Sequence, residues 1–99
     1  MIKIRLFCAA GMSTSLLVSK MKDAAKAKGI EVDIEAFPES QMDNHLENVN
    51  VALLGPQVGY LLDKFKKKYA EKGIKISIID SVDYGMMNGK KVLEYALNI

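Results

Sequence analysis

The chain has 99 residues, 49% hydrophobic and 26% charged, with a formal net charge of +2 at pH 7 and a single cysteine. That length suits one domain, residues 1–99, with a core of its own, and one cysteine excludes an intramolecular disulfide framework. So small a charge leaves no electrostatic footprint for nucleic acid, and no apolar stretch is long enough to span a membrane.

Along the chain, Ile2-Lys3-Ile4-Arg5-Leu6-Phe7 predicts a short strand that stops at Cys8. Lys3 and Arg5 interrupt this segment, so it is too short and too charged for a signal core, and the chain is expected to be cytosolic and complete. A lone thiol fits a reducing compartment. The small-residue loop Ala9-Ala10-Gly11-Met12-Ser13-Thr14-Ser15 then runs into a helix, where Leu17, Met21 and Ala24 or Ala25 share one face. Gly29 supplies its C-cap. Ile30 to Phe37 alternates apolar and polar residues as an edge strand does, and Pro38 ends it. Ser40 and Asp43 have the spacing of a capping box, with Met42 and Leu46 on one face of a short helix. Val49 to Leu54 is mostly apolar on both faces, as a central parallel strand should be, and Gly55-Pro56 breaks it. Val58, Leu61, Leu62, Phe65 and Tyr69 form a helical core stripe closed by Gly73. Ile74 to Ile79 predicts a fourth strand, and Val92, Leu93, Ala96 and Leu97 a last helix.

Four strands each followed by a helix predict an α/β fold, a single four-stranded parallel sheet in the order 2-1-3-4 with helices on both faces. Ligands in such sheets bind beyond the strand C-termini where the winding reverses, here between the first and third strands. Cys8 ends the first, and Gly55-Pro56-Gln57 follows the third.

A thiol followed by a Gly/Ser/Thr loop at a helix N-terminus is suited to an anion held beside a nucleophile. The helix field is expected to lower the thiol pKa below the free value of about 8.5. Cys8 is therefore read as a phosphoryl carrier, with Ala9, Ala10, Gly11, Met12, Ser13, Thr14 and Ser15 as the phosphate cradle. The competing reading is a small buried hydrophobe, against which the strand-end position argues. A Walker loop, a dinucleotide fingerprint and a thioredoxin-type pair all fail on spelling. A cysteine phosphatase loop needs an arginine six positions after the cysteine, where Thr14 stands. Lacking that clamp, the loop suits a phosphoryl group delivered by a protein better than a free phosphomonoester.

Gln57, Asp80 and Tyr84 are candidates for a surrounding layer of contacts. The plainer readings are a solvent-exposed loop glutamine, a turn or helix cap, which is the favoured role for Asp80, and a packed tyrosine. Met12 is a candidate docking contact. His45 has no partners at ligand spacing, so neither a metal nor a cofactor is called for.

Leu6 to Val18, Glu35-Ala36-Phe37-Pro38-Glu39 and Leu53-Leu54-Gly55-Pro56-Gln57 resemble the enzyme IIB component of the lactose/cellobiose (chitobiose) class of the bacterial sugar phosphotransferase system. The likeness runs over essentially the whole chain, including Asp80-Ser81-Val82-Asp83-Tyr84-Gly85. The resemblance implies a protein-phosphocysteine–sugar phosphotransferase with a fold like the low-molecular-weight cysteine phosphatases. It implies that Cys8 accepts phosphate from a phosphohistidine on a IIA partner and passes it to a sugar, such as the β-linked disaccharide cellobiose, bound by the membrane IIC permease. It also implies a cytoplasmic protein, peripheral to the membrane when docked on IIC. The alternatives carried forward are a small cysteine phosphatase or arsenate reductase on the same fold, and a regulatory binding module.

Overall fold

The structure, a computed structural model, describes residues 1–9 and 11–99, and for 11–13 the backbone alone. At its centre β1 (Ile2–Cys8) pairs in parallel with β2 (Val32–Pro38) on one side and β3 (Val51–Leu54) on the other. Beyond β3 lies β4 (Lys75–Ile78), also parallel, so the order is β2-β1-β3-β4 as expected.

Alternation along β1 divides the core in two. Ile4, Leu6 and Cys8 point to one face with Ile34, Val51 and Leu53. That face is covered by α1 (Gly11–Ala27), through Leu17 and Met21, and by the C-terminal helix, through Val92 and Leu93. Phe7, Ala52, Leu54 and Ile76 point the other way, onto Met42, Val58, Phe65 and Tyr69. β3 is buried along its whole length, which is why its sequence shows no alternation.

The connections depart from the expected helices in two places. After β2 the chain makes a 3-10 turn, Glu39–Asn44, in place of a helix. The Ser40–Asp43 capping box does not form; the turn begins at Pro38 with no side-chain cap. Asp43 is engaged elsewhere, accepting a short hydrogen bond from the Tyr69 hydroxyl and, at 3.1 Å, one from Lys68 Nζ. The Val58–Tyr69 stripe is also split, into a 3-10 turn (Pro56–Leu61) bent at Val58 and a short α2 (Leu62–Lys68). Val58, Phe65 and Tyr69 are nonetheless buried, as the stripe predicts. After β4 come α3 (Ser81–Gly85) and α4 (Gly89–Asn98). Gly89 lets α4 lie directly on α1, since a Cβ there would stand 2.5 Å from the Lys20 carbonyl carbon. Among the described residues no helix is long and apolar enough to cross a membrane.

One charge is buried in the sheet. Arg5, 5% exposed, donates to the carbonyl oxygens of Ile4 and Asp33 and to both carboxylate oxygens of Asp33, at 2.8 to 3.2 Å. The pair ties the edge strand β2 to β1. Hydrogen bonding from Arg5 holds the Asp33 carboxyl below its ordinary pKa. The folded state thus binds that proton less readily than the unfolded state. The stability gained is complete above about pH 4 and is lost as pH falls through the folded value. Asp33→Asn should lower the urea midpoint at neutral pH and flatten its decline below about pH 4; an unchanged acid slope would count against the assignment.

Candidate functional site

The sheet winds one way from β1 to β2 and the other way through β3 to β4, so β1 and β3 flank the switch point. Their C-terminal ends are brought together there. The Gly55 N–H donates to the Phe7 carbonyl at 2.9 Å, carrying the β1–β3 ladder one step past the strand. Gly55 has an ordinary extended backbone, φ −62° and ψ 152°. Glycine is required for space: a Cβ at position 55 would lie 2.8 Å from Cys8 Sγ, 3.2 Å from Cys8 Cβ and 3.2 Å from Gln57 Oε1. Cys8, Gly55 and Gln57 therefore converge. Sequence reasoning took Gly55 only as a strand breaker, although its place after a central strand was a signal that the backbone approaches something closely.

A second approach comes from β4. Ile79 N–H donates to the Leu54 carbonyl at 2.8 Å, which holds the following Asp80 at the same rim. Asp80 caps α3, its Oδ2 accepting from the Val82 and Asp83 amides at 3.1 Å each, so the cap reading holds for this residue. Seated this way, α3 turns Tyr84 inward, where it is 7% exposed and its hydroxyl donates to the Cys8 sulfur. Gln57 and Asp80 stand exposed at the surface, and Tyr84 is packed beneath it.

The thiol differs from its sequence expectation. Cys8 is 1% exposed, and burial pushes the thiol up to about 11. Hydrogen bonds from Tyr84 and the Gly55 backbone pull it back, and the Glu39 carboxylate adds to the rise. The low pKa expected from the helix N-terminus is thus overridden, because desolvating a thiolate opposes its formation more strongly than these contacts favour it.

The cradle is also shorter than its spelling suggests. Helix α1 begins at Gly11, so Ser13, Thr14 and Ser15 lie within the helix and not in a loop before it. Ser15 sits beyond the first turn, where its amide joins the helical ladder and its exposed hydroxyl is what remains available. Thr14 is buried at 1% exposure. No acidic side chain occupies the first turn of α1, so none competes with an anion there. Ala9 is exposed; Ala10 and the side chains of Met12 and Ser13 lie outside the described residues. His45 stacks flat on Phe37 with ring centroids 3.6 Å apart, away from Cys8 on the opposite face of the sheet.

A phosphatase arginine has no counterpart here. Arg5 is the chain's sole arginine, and its side chain is bound to Asp33 on the sheet face opposite Cys8. Thr14, which holds the arginine's position in the phosphatase spelling, is too deeply buried to leave room for one.

The profile of the family described as PTS system, lactose/cellobiose-specific IIB subunit, matches residues 3–95. A galactose-specific EIIB component of Lactococcus lactis is 46% identical over 97% of this chain and 94% of its own. An oligo-beta-mannoside-specific EIIB component of Bacillus subtilis is 39% identical over 98% and 94%. The solution structure of a cellobiose-specific IIB component from Borrelia burgdorferi superposes with a TM-score of 0.79 at 42% identity, covering 98% of this chain and 89% of that one. A lactose-specific IIB domain from Streptococcus pneumoniae, at 18% identity, shares the fold with a TM-score of 0.86 over 97% of this chain and 94% of its own.

The thiol's environment makes a direct prediction. Alkylation of Cys8 by iodoacetamide should rise with pH toward a midpoint near about 11. A midpoint at the ordinary cysteine value of about 8.5 would contradict the buried, protonated thiol described above.

Proposed function

We propose that Cys8 is the phosphoryl-carrying atom of this chain, which belongs to the lactose/cellobiose-specific IIB family and is a phosphoryl carrier in sugar transport. The observation that carries the assignment is convergence: the end of β3 and the inward-turned Tyr84 close on one sulfur, at the end of β1, three positions before α1 begins.

The donor is a phosphohistidine on a IIA partner. Sulfur attacks phosphorus, the phosphorus–nitrogen bond breaks, and the thiol proton leaves with the imidazole. A thiol at about 11 is ionised to only about one part in ten thousand at pH 7, so the free protein holds it protonated. Its proton is given up in the docked complex, where the departing imidazole nitrogen accepts it.

Once transferred, the phosphoryl group sits at the N-terminus of α1. The amides from Ala9 to Ser13 and the hydroxyls of Ser13, Thr14 and Ser15 are its cradle. Each hydrogen bond to a charged group is worth about 1.5–3 kcal/mol, so a few suffice to hold a dianion already attached to sulfur. The carrier then delivers to a sugar bound by the membrane IIC partner, working in the cytoplasm and peripheral to the membrane while docked. A β-linked disaccharide such as cellobiose is the sugar class that this family points to.

Docking needs apolar surface around the sulfur. Leu16 on α1, Tyr60 on the turn after β3, and Val82 and Met86 on and beside α3 are large apolar or aromatic residues left exposed. A cleft of about 590 Å³ opens between Pro56, Tyr60 and Asp80. Exposed large apolar and aromatic residues on the elements that follow β1, β3 and β4 suit a contact surface.

Phosphorylated IIA should transfer one phosphate to the wild-type chain, stable to the protein itself, and none to Cys8→Ser of equal fold. Hydrolysis of a phosphomonoester by the wild type would favour the phosphatase reading instead. Gly55→Ala should cost about 1–3 kcal/mol of stability by overpacking and abolish transfer while the protein remains folded. Normal transfer in folded Gly55→Ala would remove the close-approach argument.

A further inference from the structure

We propose that Tyr84 is a catalytic residue of the transfer reactions, its hydroxyl donating a hydrogen bond to the Cys8 sulfur as that atom gains and loses negative charge. The inference rests on the carrier reading for Cys8 and assigns the chemistry of one further side chain to it.

The chain has four tyrosines, and their placement separates this one from the rest. Tyr69 gives its hydroxyl to Asp43, Tyr95 shares a short hydrogen bond with Ser77, and Tyr60 is 80% exposed. Tyr84 alone among them is packed in the buried cluster that contains Cys8, and its side chain is the one whose hydrogen bond favours the thiolate. It does so from a helix of only five residues, held by the double acceptance of Asp80 and by the Tyr84 N–H donated to the Asp80 carbonyl at 2.9 Å. A five-residue helix is not stable by itself. The Asp80 cap and the burial of Tyr84 are what seat it against Cys8.

In the charging step the S–H proton passes to the imidazole as the S–P bond forms and the P–N bond breaks. In the delivery step the S–P bond breaks, a sugar oxygen takes the phosphoryl group, and the hydroxyl proton returns to sulfur. Sulfur is anionic in passing in both. A donor aimed at it in a dry site stabilises that charge without reorganisation. Among the described residues, the other groups acting on the sulfur are the Gly55 amide from the end of β3, which assists, and the Glu39 carboxylate from the turn after β2, which opposes. The sides of α1 and α4 that face it contribute apolar Leu17, Val92 and Leu93. Tyr84 is therefore the side-chain donor that offsets burial.

The test compares wild type and Tyr84→Phe in two assays, with Cys8→Ala as a further variant read by NMR. With iodoacetamide at pH 9 and 10, Tyr84→Phe should alkylate about tenfold more slowly than wild type, as loss of one charge-assisted hydrogen bond requires. If Tyr84→Phe does not fold, Cys8→Ala decides: with ¹³C-labelled tyrosine, the Tyr84 Cζ resonance should shift when the sulfur acceptor is removed, and those of the other three tyrosines should not. With phosphorylated IIA, folded Tyr84→Phe should accept phosphate about tenfold more slowly, with its rate–pH profile displaced upward. Wild-type alkylation and acceptance rates in folded Tyr84→Phe, or an unmoved Tyr84 Cζ resonance in Cys8→Ala where that variant decides, overturn the proposal. Failure of the wild type to accept phosphate overturns the carrier reading, and the alkylation arm still judges Tyr84 separately.

Discussion

The contact between the bare Cα of Gly55 and the sulfur of Cys8 governs the site. Two parallel strands that diverge in winding leave a crevice at their carboxyl ends, and the depth of that crevice depends on how closely the chain after β3 can return. With glycine at 55 it returns to van der Waals distance of the sulfur, and a methyl group would already be too close. The ladder bond from Gly55 to Phe7 fixes this approach as part of the sheet. Gln57 and Tyr84 are then placed relative to an atom that has almost no freedom. A carrier that must present one sulfur in turn to two different partners benefits from such rigidity, because each docking event finds the same geometry.

Burial also sets the chemical temper of the thiol. A lone cysteine raised to about 11 is protonated in the free protein and a poor nucleophile toward small electrophiles. On the proposed reading, reactivity then depends on what a partner brings: a phosphorylated imidazole that needs a proton as it leaves. The absence of an arginine clamp acts in the same direction, since the chain's sole arginine is committed to Asp33 across the sheet. Both features disfavour capture of free phosphate esters and favour transfer between proteins.

Much of this was legible in the residues. Alternation in Ile30 to Phe37 against the mostly apolar run Val49 to Leu54 separated an edge strand from a central one, and the order 2-1-3-4 read from that pattern is the one observed. The position of Cys8 at a strand end pointed to the switch point. What was not legible depended on contacts distant in sequence. Desolvation of the thiol is a property of α1, β3 and α3 packed together, and local spelling carried only the opposing helix-dipole effect. Asp43 looked like a capping residue until Tyr69, 26 positions away, claimed its carboxylate. Gly55 read as a strand breaker because the atom it must avoid lies on another strand. Tyr84 was ambiguous between packing and function; the structure shows it packed, in the same buried cluster as Cys8.

The central claim, that the phosphoryl group is carried on the sulfur of Cys8, is tested most directly by NMR on the phosphorylated protein. With ¹³C in the cysteine side chain, the Cys8 Cβ should shift and show a scalar coupling to phosphorus. The amide shifts should concentrate at the start of α1 and around Gly55. Phosphorus attached instead to His45, with an unperturbed Cys8 Cβ, would contradict the account.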